Sequence, residues 1–216
     1  MGTSSRKKTS KKLKEILSNY IDNSTHNFKV GQEKIACQEF TRKYLTSTRS
    51  SKGYFNPEKM SSILQGGFKG LNKFCQEHKN IIFSSEEELK EEIIDFMEDN
   101  DELLTEADEL QRNAYIVAMT KALLSSEDKD KVFIENIIIN TIKLGVISEM
   151  QESILELTNA PISFEKIKKE VENSVKSYLK DSMDELYRKT VAGEWKEIVK
   201  VIEDIKKKLK KVDNDV

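Results

Sequence analysis

The sequence predicts an all-α protein, a multi-helix bundle with a short flexible N-terminal arm. Three observations lead there. Apolar residues recur at helical spacing along nearly the whole chain, helix-capping signatures punctuate that pattern, and 216 residues contain only two prolines and eight glycines. Low aromatic content with abundant Lys, Glu, Leu and Ile suits helices better than sheets.

The most apolar stretch is Val132 to Leu157. Phe133, Ile137 and Leu144 share one helical face, Ile134, Ile138 and Ile142 the next, and Val132 and Ile139 widen the arc. A helix apolar over so much of its girth is buried on several sides. Its β-branched residues also favour a strand. The run is too long for one, however, and Val146, Ile147, Met150, Ile154 and Leu157 keep helical spacing beyond Gly145. This stretch is read as the core helix.

The organisation follows from it. Residues 1–9 form the arm, 10–83 a basic N-terminal helical region, and 84–216 a C-terminal helical bundle around 132–157. The net charge of −2 hides a segregation. Residues 1–83 carry 16 Lys and Arg against 6 Asp and Glu, residues 84–130 carry 4 against 16, and residues 131–216 balance at 16 each. Solvated helix faces account for this, and two docking surfaces are the functional alternative. No apolar run approaches a membrane span, the basic start lacks the apolar segment of a secretory signal, and two cysteines make no disulfide framework. The expected location is the cytoplasm.

Taken in order, Ser10 is placed to cap a helix whose inner face is Leu13, Ile16, Leu17, Tyr20 and Ile21. A turn over 22–27 precedes a second helix from about Gly31 to Leu45 offering Ile35, Ala36, Phe40 and Tyr44. Asn56 caps a third, with Pro57 at its first position and Met60, Ile63, Leu64, Leu71, Phe74 and Cys75 inward. Gly66 and Gly70 within it point to a close approach by a neighbouring backbone or to a kink. The tract lacks the GK[ST] ending of a phosphate loop. Ser85 with Glu88 forms a capping box for an acidic helix with Leu89, Ile93, Phe96 and Met97 inside. Thr105 with Asp108 opens another, carrying Leu110, Ala114, Val117, Ala118 and Leu124 toward the core. After the core stretch, Ile167, Val171, Val175, Tyr178, Met183 and Leu186 mark a long helix ended by Gly193. A last helix displays Trp195, Ile198, Val199, Ile202, Ile205 and Leu209. These two should pair antiparallel, within the chain or through a dimer.

Chemical motifs are scarce. Cys75 and His78 have metal-pair spacing, but only Cys37 and His26 remain to complete a set and they are eleven apart, so no metal is expected. Asp99 and Asp101 lack the central glycine and terminal glutamate of a calcium loop. The carboxylates from Glu86 to Glu102 have no desolvating surroundings to suit one for acid or base work. No GxSxG, HExxH or GxGxxG occurs. The residues favour a binding or scaffold protein over an enzyme, with no cofactor.

The arm, MGTSSRKKT, has small polar residues before a basic cluster and nothing to bury. Gly2 is small enough for Met1 to be removed, which leaves a glycine amine. Arg6 stands where myristoylation wants Ser or Thr. Arg6, Lys7, Lys8, Lys11 and Lys12, with Lys14, form a candidate basic surface for nucleic acid, without an aromatic to stack on bases.

MGTSS at the start, LQGGFKG, EADELQRNAYIVAMTKALL, FIENIIINTIKLG and EKIKKEVENSVKSYL together resemble the QatB family, the B component of the Qat anti-phage defence system. The resemblance runs over most of the chain, and MGTS is its one compact motif. The family usually carries a longer, Gly- and Pro-rich arm; here the arm is short and lysine-rich. The resemblance implies a non-catalytic defence component acting with an ATPase, a QueC-like enzyme and a TatD-like nuclease. It also implies that Gly2 accepts a 7-deazaguanine group from the QueC-like partner, with Thr3, Ser4 and Ser5 read as the arm enters that enzyme. A nucleic-acid-binding helical module and a plain scaffold are the competing classes.

Overall fold

A computed structural model describes residues 11–22, 24, 25, 27–47, 50, 53, 55–79, 81–100, 109–158 and 165–214. The fold is all-α. Its helices are α1 (Lys11–Tyr20), α2 (Glu33–Thr46), α3 (Pro57–Glu77), α4 (Glu86–Asp99), α5 (Glu109–Leu124), α6 (Lys129–Thr158), α7 (Glu165–Val191) and α8 (Trp195–Asn214). Between α1 and α2, the expected turn is a small hairpin: β1 (Ile21–Asp22) pairs antiparallel with β2 (Asn27–Phe28), Ile21 opposite Phe28. Ser24 donates backbone and hydroxyl hydrogens to Asp22 Oδ1, at 2.8 and 2.6 Å, and so reverses the chain there.

Helix α6 is the axis of the bundle. From Lys131 to Met150 no residue is exposed, and α5, α7, α3, α1 and α2 all pack against it. Phe133, Ile134, Ile137, Ile138, Ile142 and Val146 are at most 1% exposed. Each buried isoleucine contributes about 1.5–3 kcal/mol relative to exposure, which fixes the helix despite its strand-favouring composition. Gly145 does not interrupt it. One continuous core runs from Leu13 to Leu209 and takes residues from each of these helices. Among the described residues no helix is long and apolar enough to cross a membrane.

The helix ends follow local chemistry. Asn56 Oδ1 accepts the Lys59 amide at 2.8 Å, with Pro57 at the first helical position. Ser85 Oγ accepts the Glu88 amide at 3.1 Å. The Glu88 carboxylate reaches one residue past Ser85, taking the Ser84 amide at 2.6 Å and also the Ser84 hydroxyl. Gly193 has φ +70°. Its amide bonds Thr190 O and the next amide bonds Lys189 O, which closes α7 with a left-handed glycine and turns the chain into α8. Helices α7 and α8 therefore pair within the chain. Ser10, Thr105 and Asp108, proposed as caps, lie outside the described residues, as does Asp101.

Three expectations about inward faces are corrected. Ile35 is 48% exposed because α2 buries Ala36, Cys37, Phe40, Thr41 and Tyr44, one position round. Val117 and Leu124, seven apart on one face of α5, are 37% and 56% exposed. The packed face is Gln111, Ala114, Tyr115, Ala118, Met119 and Ala122, with Tyr115 edge-on to Phe133 at 5.8 Å. The close approach of α3 falls at Gly67, where a Cβ would lie 2.9 Å from Ile137 Cδ1 and 3.1 Å from Phe133 Cζ. Gly66 is only half-buried.

The α3–α6 contact yields a prediction. Gly67→Ala adds about 1 kcal/mol of helix propensity but overfills a packed contact, at a cost of about 1–3 kcal/mol. Ile137→Val removes the offending Cδ1. In a urea-denaturation cycle the two substitutions should couple favourably by about 1 kcal/mol; strictly additive effects would mean that the helices do not meet there.

Candidate functional site

The residues assigned to modification and recognition, Gly2, Thr3, Ser4 and Ser5, lie outside the described residues, as do Arg6, Lys7 and Lys8. The described residues begin with helix α1. Helix α1 buries Leu13 and Leu17 completely. Lys14 Nζ reaches Glu156 Oε2, in the last turns of α6, at 2.5 Å. At its other end Tyr20 donates to Glu39 of α2 at 2.5 Å, and Lys29 donates to Asn19 O at 2.7 Å. The Glu39 hydrogen bond, then burial, raise the Tyr20 hydroxyl above its usual range. Helix α1 is thus tied to α6 at one end and to α2 at the other. Lys11 and Lys12 stay exposed, Lys11 only 3.8 Å from Glu15.

The metal half-motif is absorbed into packing. His78 stacks on Phe74 with ring centres 4.0 Å apart, its Nδ1 lies 2.9 Å from Phe74 O, and its Nε2 lies 2.8 Å from Glu92 Oε1. Cys75 is half-buried, and burial pushes its thiol up. Cys37 sits in the core with its thiol pushed up to about 12, chiefly by burial, which makes it a packing residue rather than a nucleophile. His26 lies outside the described residues. Among the described residues no three His, Cys, Asp or Glu side chains gather as a metal set.

Two ionic features were not legible from spacing. Glu172 of α7 takes Lys143 of α6 at 2.9 Å and Lys176 at 2.7 Å. Burial alone would push its carboxyl up, but the hydrogen bonds from Lys176 and Lys143 outweigh it and hold the group at about 2. Lys206 of α8 is buried, donates to Phe55 O at 2.9 Å, and has its ammonium 5.3 Å from the centre of the Phe55 ring. Burial, helped by the neighbouring Lys210, lowers it to about 8. Lys206 stands four residues after Ile202 and three before Leu209, inside the apolar stripe, but its partner Phe55 lies 151 residues away.

Between α7 and α8 lies an open groove of about 520 Å³, lined by Ser182 and Glu185 on one wall and on the other by Lys200, Lys207, Lys208 and Lys211 together with Glu197, Val201 and Asp204. On α4, the carboxylates of Glu87, Glu91, Asp95, Glu98 and Asp99 are exposed, as expected for a solvated face. No family model, curated protein or solved structure significantly matches this chain.

Both ions give pH signatures. Because the Glu172 carboxyl titrates near 2 when folded and near 4.5 otherwise, its stabilisation is complete above about pH 4.5 and lost as pH falls toward 2. Glu172→Gln should flatten the decline in urea midpoint across that window; an unchanged acid profile would remove the pair from the account. Lys206 has the opposite arrangement, with a folded value below its ordinary 10.5. The unfolded chain holds the extra proton between about pH 8 and 10.5, so this residue adds stability as pH rises through that window. Relative to Lys206→Met, the native chain should gain stability between pH 8 and 10.5, and parallel profiles would contradict the assignment.

Proposed function

We propose that this chain is a helical, non-catalytic adaptor of a bacterial anti-phage defence system, in which Gly2 is presented to a QueC-like enzyme and receives a 7-deazaguanine group. The reading rests on the resemblance to the QatB family. One structural observation supports it: α1 is fixed to the central helix by Leu13, Leu17 and the Lys14–Glu156 pair, so a segment before Lys11 starts from a rigid surface.

The chemistry suits that role. With Met1 removed, the Gly2 amine has an ordinary pKa of about 7.7–8.0 and is substantially unprotonated near neutral pH, unlike a lysine amine. Glycine adds the least hindrance at the reacting atom. Nine residues from Gly2 to Ser10 span at most about 30 Å when extended, enough to enter a partner's cleft while the bundle stays folded. Thr3, Ser4 and Ser5 offer hydroxyls and backbone groups for that partner to read. The ATPase and the TatD-like nuclease of the same system are the other partners in this reading, and the site of action is the cytoplasm.

The test is an intact-mass measurement of the chain co-expressed with the QueC-like enzyme, run beside a phage-protection assay. Gly2→Pro or an added N-terminal tag should abolish both the mass change and protection while leaving the melting temperature unchanged. Lys7→Ala should do far less. Full protection by a chain beginning at Lys11 would overturn the proposal.

A further inference from the structure

Among the described residues, the densest run of lysines lies on the last helix. In the front half, Lys14 and Lys29 are engaged by Glu156 and Asn19, and Lys73 by Asn100. Lys12, Lys34, Lys69 and Lys79 remain exposed, but they sit on four different segments. On α8, Lys196, Lys200, Lys207 and Lys211 recur at offsets of 4, 11 and 15. At 100° per residue these fall within about 60° of one another, over about 22 Å of helix. All four are exposed, as are the flanking Lys208 and Lys210.

The carboxylates nearby offset this face only in part. Glu197 and Asp204 each hold a lysine three residues on, Lys200 at 2.7 Å and Lys207 at 3.0 Å. From Ile205 to Lys211 the helix carries five lysines and no acid. Lys208, Lys210 and Lys211 have no ion-pair partner among the described residues, and Lys210 repels the ammonium of Lys206. A crowd of like charges on a rigid rod beside an open groove is relieved by a polyanion, and an extended stripe suits a polymer backbone better than a small anion.

We infer that the outer face of α8, with the groove it forms against α7, binds the phosphate backbone of nucleic acid without sequence preference. Lys208 and Lys211 meet the phosphates along the groove with Lys210 beside them, and Lys200 and Lys207 join by exchanging Glu197 and Asp204 for phosphate. The inference does not rest on the Gly2 proposal, since no residue is shared.

The test is fluorescence anisotropy of labelled single-stranded and duplex oligonucleotides of about 20 units, titrated at several salt concentrations with the full chain. About four phosphate contacts give a slope of log affinity against log salt near −3.6 on duplex. Lys208→Ala/Lys210→Ala/Lys211→Ala should weaken binding at low salt by roughly tenfold or more and flatten the slope, with an unchanged circular dichroism spectrum. Lys11→Ala/Lys12→Ala should change affinity by less than about twofold. No salt-sensitive binding at about 50 mM salt, wild-type binding by the triple variant, loss tracking Lys11 and Lys12, or tighter binding to phosphatidylserine vesicles than to oligonucleotides would each overturn it.

Discussion

A helix with no outward face is the constraint on which the rest of the structure depends. Between Lys131 and Met150 every position of α6 is at least half-buried, so apolar surface must be supplied from all sides. Helices α5 and α7 flank it, α1, α2 and α3 close the remainder, and α8 packs outside on α7, α3 and α2. Several polar groups of α6 are satisfied by the helix itself, although the buried Thr141 hydroxyl has no hydrogen-bond partner among the described residues. Asn136 donates to Val132 O, Asn140 to Asn136 O, and Ser153 to Glu149 O, each at 2.8 Å. The partial charge of each of these three groups is returned to the helix's own backbone, which lets them sit in the interior without a desolvation penalty of several kcal/mol.

That arrangement assigns different work to centre and periphery. The interior is filled by packing, and its cysteines are held as neutral thiols. The surface carries charge in separate blocks, among them the acid face of α4 and the lysine face of α8. Ionic ties between helices, such as Lys143–Glu172, Lys131–Asp184 and Lys14–Glu156, run between α6 and its neighbours and orient them around the axis.

Much of this was legible in the residues. The central helix followed from the width of its apolar arc, Asn56 and Ser85 from capping chemistry, and Gly193 from its place after a periodic stripe. Ile35, Val117 and Leu124 were misplaced because apolar character alone does not fix the rotation of a helix. On α5, Tyr115 and small residues form the packed face, and a stripe of alanines is weak in hydrophobicity though strong in fit. Gly67 was passed over for Gly66 and Gly70 because spacing identifies a face but not which residue meets the neighbour. Lys206 and Glu172 needed the third dimension, since their partners, Phe55 and Lys143, lie 151 and 29 residues away. Of the proposed site, the sequence supplied Gly2 and the structure supplied the anchored helix that follows.

The central claim is that one core, organised on α6, unites front and back of the chain into a single cooperative unit. Native-state amide hydrogen exchange tests it most directly. Amides of Ile134 to Ile147 should exchange only through global unfolding, at the free energy measured by denaturant, with the buried turns of α2 and α3 close behind. Exchange of α1, α2 and α3 through a separate low-energy opening, with α6 still protected, would contradict it.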